Sequence, residues 1–161
     1  MADHQLLSTL DTGPRHAFSK WPDTPVPKVA AGVYTIWEQD RFIYVGMSGR
    51  AMKFDPTEPP DEPTKNKGLW TRLNSHAMGR RSGDQFCVYV CDRFVVPRLT
   101  RNQQRDIGDG VLSLDAMTKK HIHDHFEYRY VILDSGKEAL ALERAVQAGA
   151  LASGKPLLNP L

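Results

Sequence analysis

Cysteine is scarce in this chain, with only Cys87 and Cys91 among its 161 residues. The stretch 86–96 predicts a strand, and the rise of a strand would hold the two thiols about 13 Å apart, too far to pair. Long apolar runs are also missing, since none approaches the ~20 residues that a bilayer span requires. No signal-type leader opens the sequence. We therefore expect a reduced protein of the cytoplasm, with no membrane span and no disulfide framework.

The net charge is small, at +2, but it is unevenly distributed. The stretch 65–105 holds nine basic and two acidic side chains, a net of +7, which leaves −5 for the remainder. A basic block is typical of proteins that bind polyanions, because neutralised phosphates release condensed counterions. A solvated basic face without a partner is the alternative. The basic side chains that we expect to contact nucleic acid are Arg50, Arg80, Arg81, Arg98, Arg101 and Arg105.

Proline-rich stretches indicate how the chain is organised. Residues 1–30 hold four prolines and predict an N-terminal arm. The remainder, 31–161, has the length of a single domain and is interrupted by a proline-rich insertion at 51–67. Two aromatic and β-branched runs, GVYTIW and FIYVG, surround the polar segment EQDR and predict an antiparallel hairpin.

Capping signals predict helices in the second half of the chain. One helix is expected over 68–79. Thr100, Ser113 and Ser135 are predicted N-cap residues, and a helix is expected to begin after each of them. The stretch 128–133 predicts a further strand. We therefore expect an α+β fold in which helices flank a small central, mostly antiparallel sheet.

Two tripeptides carry the functional signal. Gly32-Val33-Tyr34 and Tyr44-Val45-Gly46 are separated by nine residues, and Arg72, His76, Glu143 and Asn159 follow in that order. This ordered set resembles the GIY-YIG nuclease family over roughly 31–159. The histidine four positions after the arginine is similar to the restriction-enzyme branch. The resemblance implies the fold of that family and cleavage of phosphodiester bonds in DNA.

The resemblance implies a role for Tyr34, and the chemistry of the side chains indicates roles for its neighbours. Tyr34 takes the place of the family's general base, and His76 would accept its proton. Tyr44 would orient water or phosphate through its hydroxyl, and Gly46 would keep the strand end clear for the DNA backbone. Arg72 would bind the scissile phosphate through its guanidinium fork.

The remaining candidates are Glu143 and Asn159. Mg²⁺ is commonly held by one or two carboxylates with water and substrate phosphate. No second acid accompanies Glu143 at a paired-metal spacing, so we expect one Mg²⁺ or Mn²⁺ ion at this carboxylate. The amide of Asn159 would fix either the hairpin or the DNA backbone.

Two assignments stay open. The family often places its arginine soon after the second tripeptide, so Arg50 competes with Arg72 for the phosphate; Arg72 is preferred because it shares a predicted helix with His76. Position 47 is Met where many relatives carry Lys, so the strand end has no lysine at this position.

The sequence favours a metal-dependent, restriction-like DNA endonuclease acting on duplex DNA. A structure-specific repair nuclease and a nucleic-acid-binding domain that does not cut are the alternatives, and a protein-interaction domain has no feature of its own in its favour. A palindromic target would call for a homodimer, because one metal site cuts one strand at a time.

Overall fold

The computed structural model describes residues 3–49 and 68–161. Arg50 and the predicted insertion at 51–67 lie outside the described residues. The helices are α1 (His4–Thr12), α2 (Leu69–Met78), α3 (Gln85–Val90), α4 (Arg101–Gly108), α5 (Leu114–His125) and α6 (Gly136–Gln147). The strands are β1 (His16–Ala17), β2 (Ala31–Glu38), β3 (Arg41–Ser48) and β4 (Glu127–Leu133). In this described part, no helix combines the length and apolarity needed to cross a membrane.

The four strands form one antiparallel sheet in the order β1-β4-β2-β3. The predicted hairpin is β2 and β3, joined by a two-residue turn in which Gln39 has a φ of 52°. The register places Tyr34 opposite Gly46 on one side and opposite Tyr130 on the other. The predicted α+β class, with an antiparallel sheet flanked by helices, is confirmed.

Side-chain alternation along the strands divides the core between the two faces of the sheet. On one face Tyr34, Ile36 and Tyr44 pack with buried residues of α2, α3 and α5. On the other face Val33 and Val45 pack with buried residues of α1 and α6. The sheet is therefore covered on both sides, and the two tyrosines of the tripeptides lie on the same side.

Residues 3–30, predicted as an arm, contribute a helix and an edge strand to the sheet. Asp3 caps α1, and Leu10 of that helix is fully buried against the sheet. After β1, the fully buried Phe18 packs into the core on the opposite face. This lead-in therefore supplies side chains to both cores.

The predicted strand over 86–96 is wrong, because this stretch is helical. It forms α3 followed by a π-helical segment, Cys91–Val95. The side chain of Asp84 accepts hydrogen bonds from the backbone N–H groups of Phe86 and Cys87, which starts the helix. Burial along one side of a helix outweighs the strand propensity of this Val- and Phe-rich segment. The two cysteines lie one helical turn apart and are free thiols.

Other predicted elements are confirmed. The helix expected over 68–79 is α2, and Gly79 ends it in the left-handed conformation with a φ of 71°. Thr100 and Gln103 form a reciprocal capping box at α4, and Ser113 and Ser135 cap α5 and α6. The last helix ends at Gln147 rather than near 150. The predicted strand over 128–133 is β4.

Candidate active site

The β2–β3 hairpin brings the tyrosines of the two tripeptides together. The ring centroids of Tyr34 and Tyr44 are 6.5 Å apart. Gly46, directly across from Tyr34, leaves room for the phenol, because a Cβ at this position would lie 2.1 Å from Tyr34 Oη. The packing of Tyr34, the tyrosine of the first tripeptide, therefore requires a glycine at position 46 in the second.

Helix α2 places two further side chains under this hairpin. Its apolar residues Leu69, Leu73 and Ala77 are buried against the sheet at helical spacing. Arg72 and His76 are one turn apart and so project from the same side of the helix. The imidazole of His76 is 5.4 Å from the ring of Tyr34 and 5.8 Å from that of Tyr44, between centroids.

His76 joins Tyr34 to Asp84 through two short hydrogen bonds. Tyr34 Oη lies 2.7 Å from His76 Nε2, and His76 Nδ1 lies 2.7 Å from Asp84 Oδ2. An ionised carboxylate can only accept hydrogen bonds. The Nδ1 atom of His76 therefore carries the proton and donates a hydrogen bond to Asp84. The Nε2 atom of the neutral ring is then the acceptor for the hydroxyl of Tyr34. All three side chains are almost completely enclosed, with exposures of 0%, 0% and 2%.

Asp84 is a site residue that the sequence analysis missed. One carboxylate oxygen accepts from the ring of His76, and the other accepts from the backbone N–H groups of Phe86 and Cys87 in the first turn of α3. Burial opposes its ionisation, but the hydrogen bond and charge of His76, together with Arg72, keep the pKa of Asp84 below its ordinary value. Its place directly before an apolar stretch is the signal of a helix-capping residue that could have drawn attention to it.

Burial sets the proton affinities of the rings. It raises the pKa of Tyr34 well above its ordinary value, with the charges of Tyr44 and Asp84 acting in the same direction and Arg72 in the opposite one. Burial likewise raises the pKa of Tyr44 to about 12, against the influence of Arg72. Burial lowers the pKa of His76, although Asp84 opposes this. At neutral pH the two phenols are protonated and the imidazole is neutral.

Arg72 is the cation of the cluster. It is half-buried, and its influence lowers the pKa of both Tyr34 and Tyr44 against the effect of burial. Burial acts against its charged form, but the tyrosines and Asp84 outweigh this effect and raise the pKa of its guanidinium. A permanent positive charge therefore faces both phenols.

Glu143 acts on the same cluster from α6. Its side chain is half-buried, and its charge is one of the causes that raise the pKa of Tyr44. The neighbouring Leu142 packs on the opposite face of the sheet from the tyrosines. The carboxylate thus comes from a different layer than Arg72 and His76, yet it lies within electrostatic range of the hairpin. In the described part of the chain, no group of three or more His, Cys, Asp or Glu side chains has the geometry of a metal site.

Asn159 holds the outer edge of the hairpin. Its Nδ2 donates to the carbonyl of Val45 at 2.6 Å, and its Oδ1 accepts from the Val45 N–H at 3.2 Å. Gln147 donates to the backbone carbonyl of Asn159 at 3.2 Å. Of the two tasks expected for this amide, the structure shows the first, fixing the hairpin.

Of the six basic side chains expected to contact nucleic acid, the five that the structure describes lie on the surface. Arg80 and Arg81 are in the turn between α2 and α3, and Arg81 Nε bonds Asp115 at 2.7 Å, with both side chains about two-fifths exposed. Arg98, Arg101 and Arg105 are exposed at or beside α4. Their side chains can therefore contact a partner in solution without any rearrangement of the core.

Comparison of the chain with protein-family models, with curated proteins and with solved structures found no match in any of the three.

Proposed function

We propose that this protein is a metal-dependent endonuclease that hydrolyses phosphodiester bonds in duplex DNA, in the manner of a restriction enzyme. The observation that carries the proposal is the hydrogen-bonded chain from Tyr34 through His76 to Asp84, with Arg72 beside both tyrosines. Hydrolysis of a phosphodiester needs a group that removes a proton from water and a cation that offsets charge on the phosphoryl oxygens. This cluster offers both.

The first need is met by a proton relay. A water positioned against Tyr34 gives a proton to the phenol oxygen as its own oxygen attacks phosphorus, while the phenol passes its proton to His76 Nε2. Asp84 stabilises the imidazolium that forms. Because both transfers occur together, no free tyrosinate is required, which suits a phenol whose pKa is raised well above its ordinary value. The bond to the leaving oxygen breaks, and that oxygen takes a proton from solvent.

The second need is met by Arg72. Tyr34 is fully enclosed and Tyr44 nearly so, whereas the guanidinium is half-buried and faces both phenols. An incoming phosphate is a stronger partner for arginine than a neutral hydroxyl is, because charge-assisted forked bonds are about twice as strong as neutral ones. Transfer of Arg72 from the phenols to phosphate would open access to Tyr34 and place positive charge on the reacting group.

Glu143 fits the part of a ligand for one Mg²⁺ or Mn²⁺ ion. A single half-buried carboxylate whose charge reaches Tyr44 matches the way Mg²⁺ is held by one or two carboxylates and substrate phosphate. When bound, such an ion supplies Lewis-acid stabilisation of charge on the phosphoryl and leaving oxygens. Asn159 acts at a distance from this chemistry, by holding the strand that carries Tyr44.

The proposal is tested by incubating the purified protein with supercoiled plasmid and Mg²⁺. We expect nicked or linear products from the wild type and their loss in Glu143→Gln and Tyr34→Phe. The matched control is Glu138→Gln, which neutralises an exposed carboxylate in the first turn of the same helix and should cut like the wild type. Chelation with EDTA should abolish the products.

Three outcomes separate the proposal from its alternatives. Cutting of flaps and branches but not of plain duplex would indicate a repair nuclease. Absence of cutting in the wild type on duplex, flap and branched DNA would overturn the nuclease proposal. If that same protein bound duplex with an affinity that fell steeply with salt and was unchanged by Glu143→Gln, it would be a non-cleaving binding domain.

A further inference from the structure

Helix α4 is the one α-helix in the described ranges with no buried residue. Its eight residues follow a reciprocal capping box and end before the glycine at 110, whose φ is 75°. Its outward side carries five exposed residues: Arg101, Asn102, Gln104, Arg105 and Gly108. Its inward side carries three half-buried residues: Gln103, Asp106 and Ile107. A short helix with no fully buried residue gains little from packing.

The composition of the outward side is selective. It holds two arginines and two amides, while the acidic residue of the helix, Asp106, lies on the inward side. Arg101 and Arg105 form no ion pair with any residue in 3–49 or 68–161. The amide of Gln104 makes one long hydrogen bond of 3.5 Å, to the carbonyl of Leu99. These side chains are therefore free to bind a partner.

Duplex DNA matches this surface in charge, chemistry and size. In the major groove, arginine pairs with guanine through two hydrogen bonds, and asparagine or glutamine pairs with adenine in the same way. An α-helix with its side chains is about 10–12 Å in diameter, so the ~12 Å wide major groove admits it. Arg98, just before the helix, adds positive charge toward the flanking phosphates.

The helix is also joined to the proposed active site by a short length of chain. Asp84, which holds His76, caps α3, and α3 leads through the π-helical segment and a 3-10 turn to α4. Phe86 of α3 and Phe94 of the π-helical segment pack on the same face of the sheet as Tyr34. Helix α4 therefore follows directly, in the chain, the helical segments that cover the Tyr34 face of the sheet.

We propose that α4 enters the major groove and reads base edges through Arg101, Asn102, Gln104 and Arg105, so that it determines where the protein cuts. This inference rests on the proposed nuclease function. It assigns the choice of sequence to a helix that contributes nothing to the core or to the chemistry.

The test is to sequence the DNA ends that the protein produces from a long duplex of mixed natural sequence in Mg²⁺. The double variant Asn102→Ala/Gln104→Ala removes both amides without changing charge. The variant Arg101→Lys/Arg105→Lys keeps the charge and removes the forks that recognise guanine. Gln5→Ala, an exposed amide on α1 across the sheet, is the matched control. Circular dichroism confirms folding of each variant.

We expect the wild type and Gln5→Ala to share a base pattern around the cut. The amide variant should lose preference at adenine positions and the lysine variant at guanine positions, each by about tenfold or more, as loss of one bidentate base contact predicts. Both variants should still bind duplexes of unrelated sequence with the affinity and salt dependence of the wild type, because attachment to phosphates persists while recognition is lost.

Other results would overturn the inference. An unchanged base pattern in both variants, or wild-type ends with no base preference, would show that α4 does not select the site. A variant that loses affinity equally for the cleaved duplex and for duplexes of unrelated sequence would assign α4 to general attachment. A wild type that cuts no DNA at all overturns the proposed nuclease function itself. This result is distinguishable from a failure of the α4 proposal, because it is seen with the wild type before any α4 variant is compared.

Discussion

Gly46 and Tyr34 fit together across the hairpin, because a Cβ on Gly46 would lie 2.1 Å from Tyr34 Oη and 2.4 Å from Cζ. We predict that Gly46→Ala displaces the phenol from His76, lowers the free energy of unfolding by about 1–3 kcal/mol as overpacking does, and strongly reduces plasmid cleavage. Urea unfolding measures the first effect.

The matched control for stability is Gly108→Ala. A Cβ at this position meets nothing within 4 Å, and replacing a helical glycine by alanine typically stabilises by up to about 1 kcal/mol. Equal losses of stability in the two variants would contradict the fit between Gly46 and Tyr34.

The protonation state of His76 predicts how cleavage depends on pH. Burial lowers the pKa of His76 from its ordinary value of 6.5, and the relay requires the neutral ring. Activity should therefore persist below pH 6.5 and decline as the pH falls through the lowered pKa. The measurement is kcat/KM against pH, and an acid limb centred at or above 6.5 would contradict it.

The same shift has a consequence for stability. The unfolded chain binds the proton of this histidine near pH 6.5, before the folded chain does, so the free energy of unfolding should decrease as the pH falls below 6.5. Asp84, whose folded pKa is also lowered, stabilises the fold above its unfolded value of 3.8 and loses that contribution at still lower pH. Urea unfolding at several pH values tests both signs.

Asp84 should matter for activity through its charge and for stability through its cap. Asp84→Asn keeps an oxygen for the N–H groups of α3 but removes the charge that stabilises the imidazolium. We expect kcat to fall about 10²- to 10⁴-fold, the range of general acid–base contributions. Asp84→Ala should cost a further ~1 kcal/mol of stability through the lost cap. Equal activity of the Asp84→Asn variant and the wild type would remove Asp84 from the relay.

Arg72→Lys decides which arginine binds the scissile phosphate. Lysine keeps the charge but lacks the planar fork, so we predict a loss of kcat of about 10²- to 10³-fold, as for removal of one donor to a developing oxyanion. Arg50→Lys, made in parallel, should have a smaller effect. The reverse order in a plasmid cleavage assay would transfer the role to Arg50.

Asn159→Ala should destabilise the hairpin without entering the chemistry. It removes two hydrogen bonds to Val45, one of them at 2.6 Å, and leaves two backbone groups unpaired. We predict a loss of about 1–3 kcal/mol, with cleavage by the remaining folded protein close to normal. A large fall in kcat at unchanged stability would instead indicate contact with the DNA backbone.

The hairpin and α2 were predictable because local signals agree with tertiary burial. Alternating apolar and aromatic residues marked β2 and β3, and Gly79 marked the end of α2. The helical structure of the stretch after Asp84 was not predictable from the sequence. Val, Phe and Tyr favour strands, whereas their burial pattern here is helical. Local propensity cannot show which neighbours will cover a segment.

The site was partly predictable for the same reason. Spacing placed Arg72 and His76 on one side of a helix, and the tripeptides placed Tyr34 and Tyr44 on one hairpin. Asp84 was missed because it is eight residues beyond His76 and meets it only through the turn that follows α2. Such a contact depends on the path of the chain in space, which the spacing of residues does not specify.

The β3 border of the sheet is covered against strand addition. The backbone N–H groups of Leu157 and Leu158 donate to the carbonyls of Phe42 and Ile43, and the Asn159 amide bonds the N–H and the carbonyl of Val45. At the opposite border β1 pairs only with Glu127 and Tyr128 of β4. A second copy therefore finds no row of unpaired amides along β3 on which to extend the sheet. If a palindromic target brings two copies together, their mutual surface is not built by adding a strand beside β3.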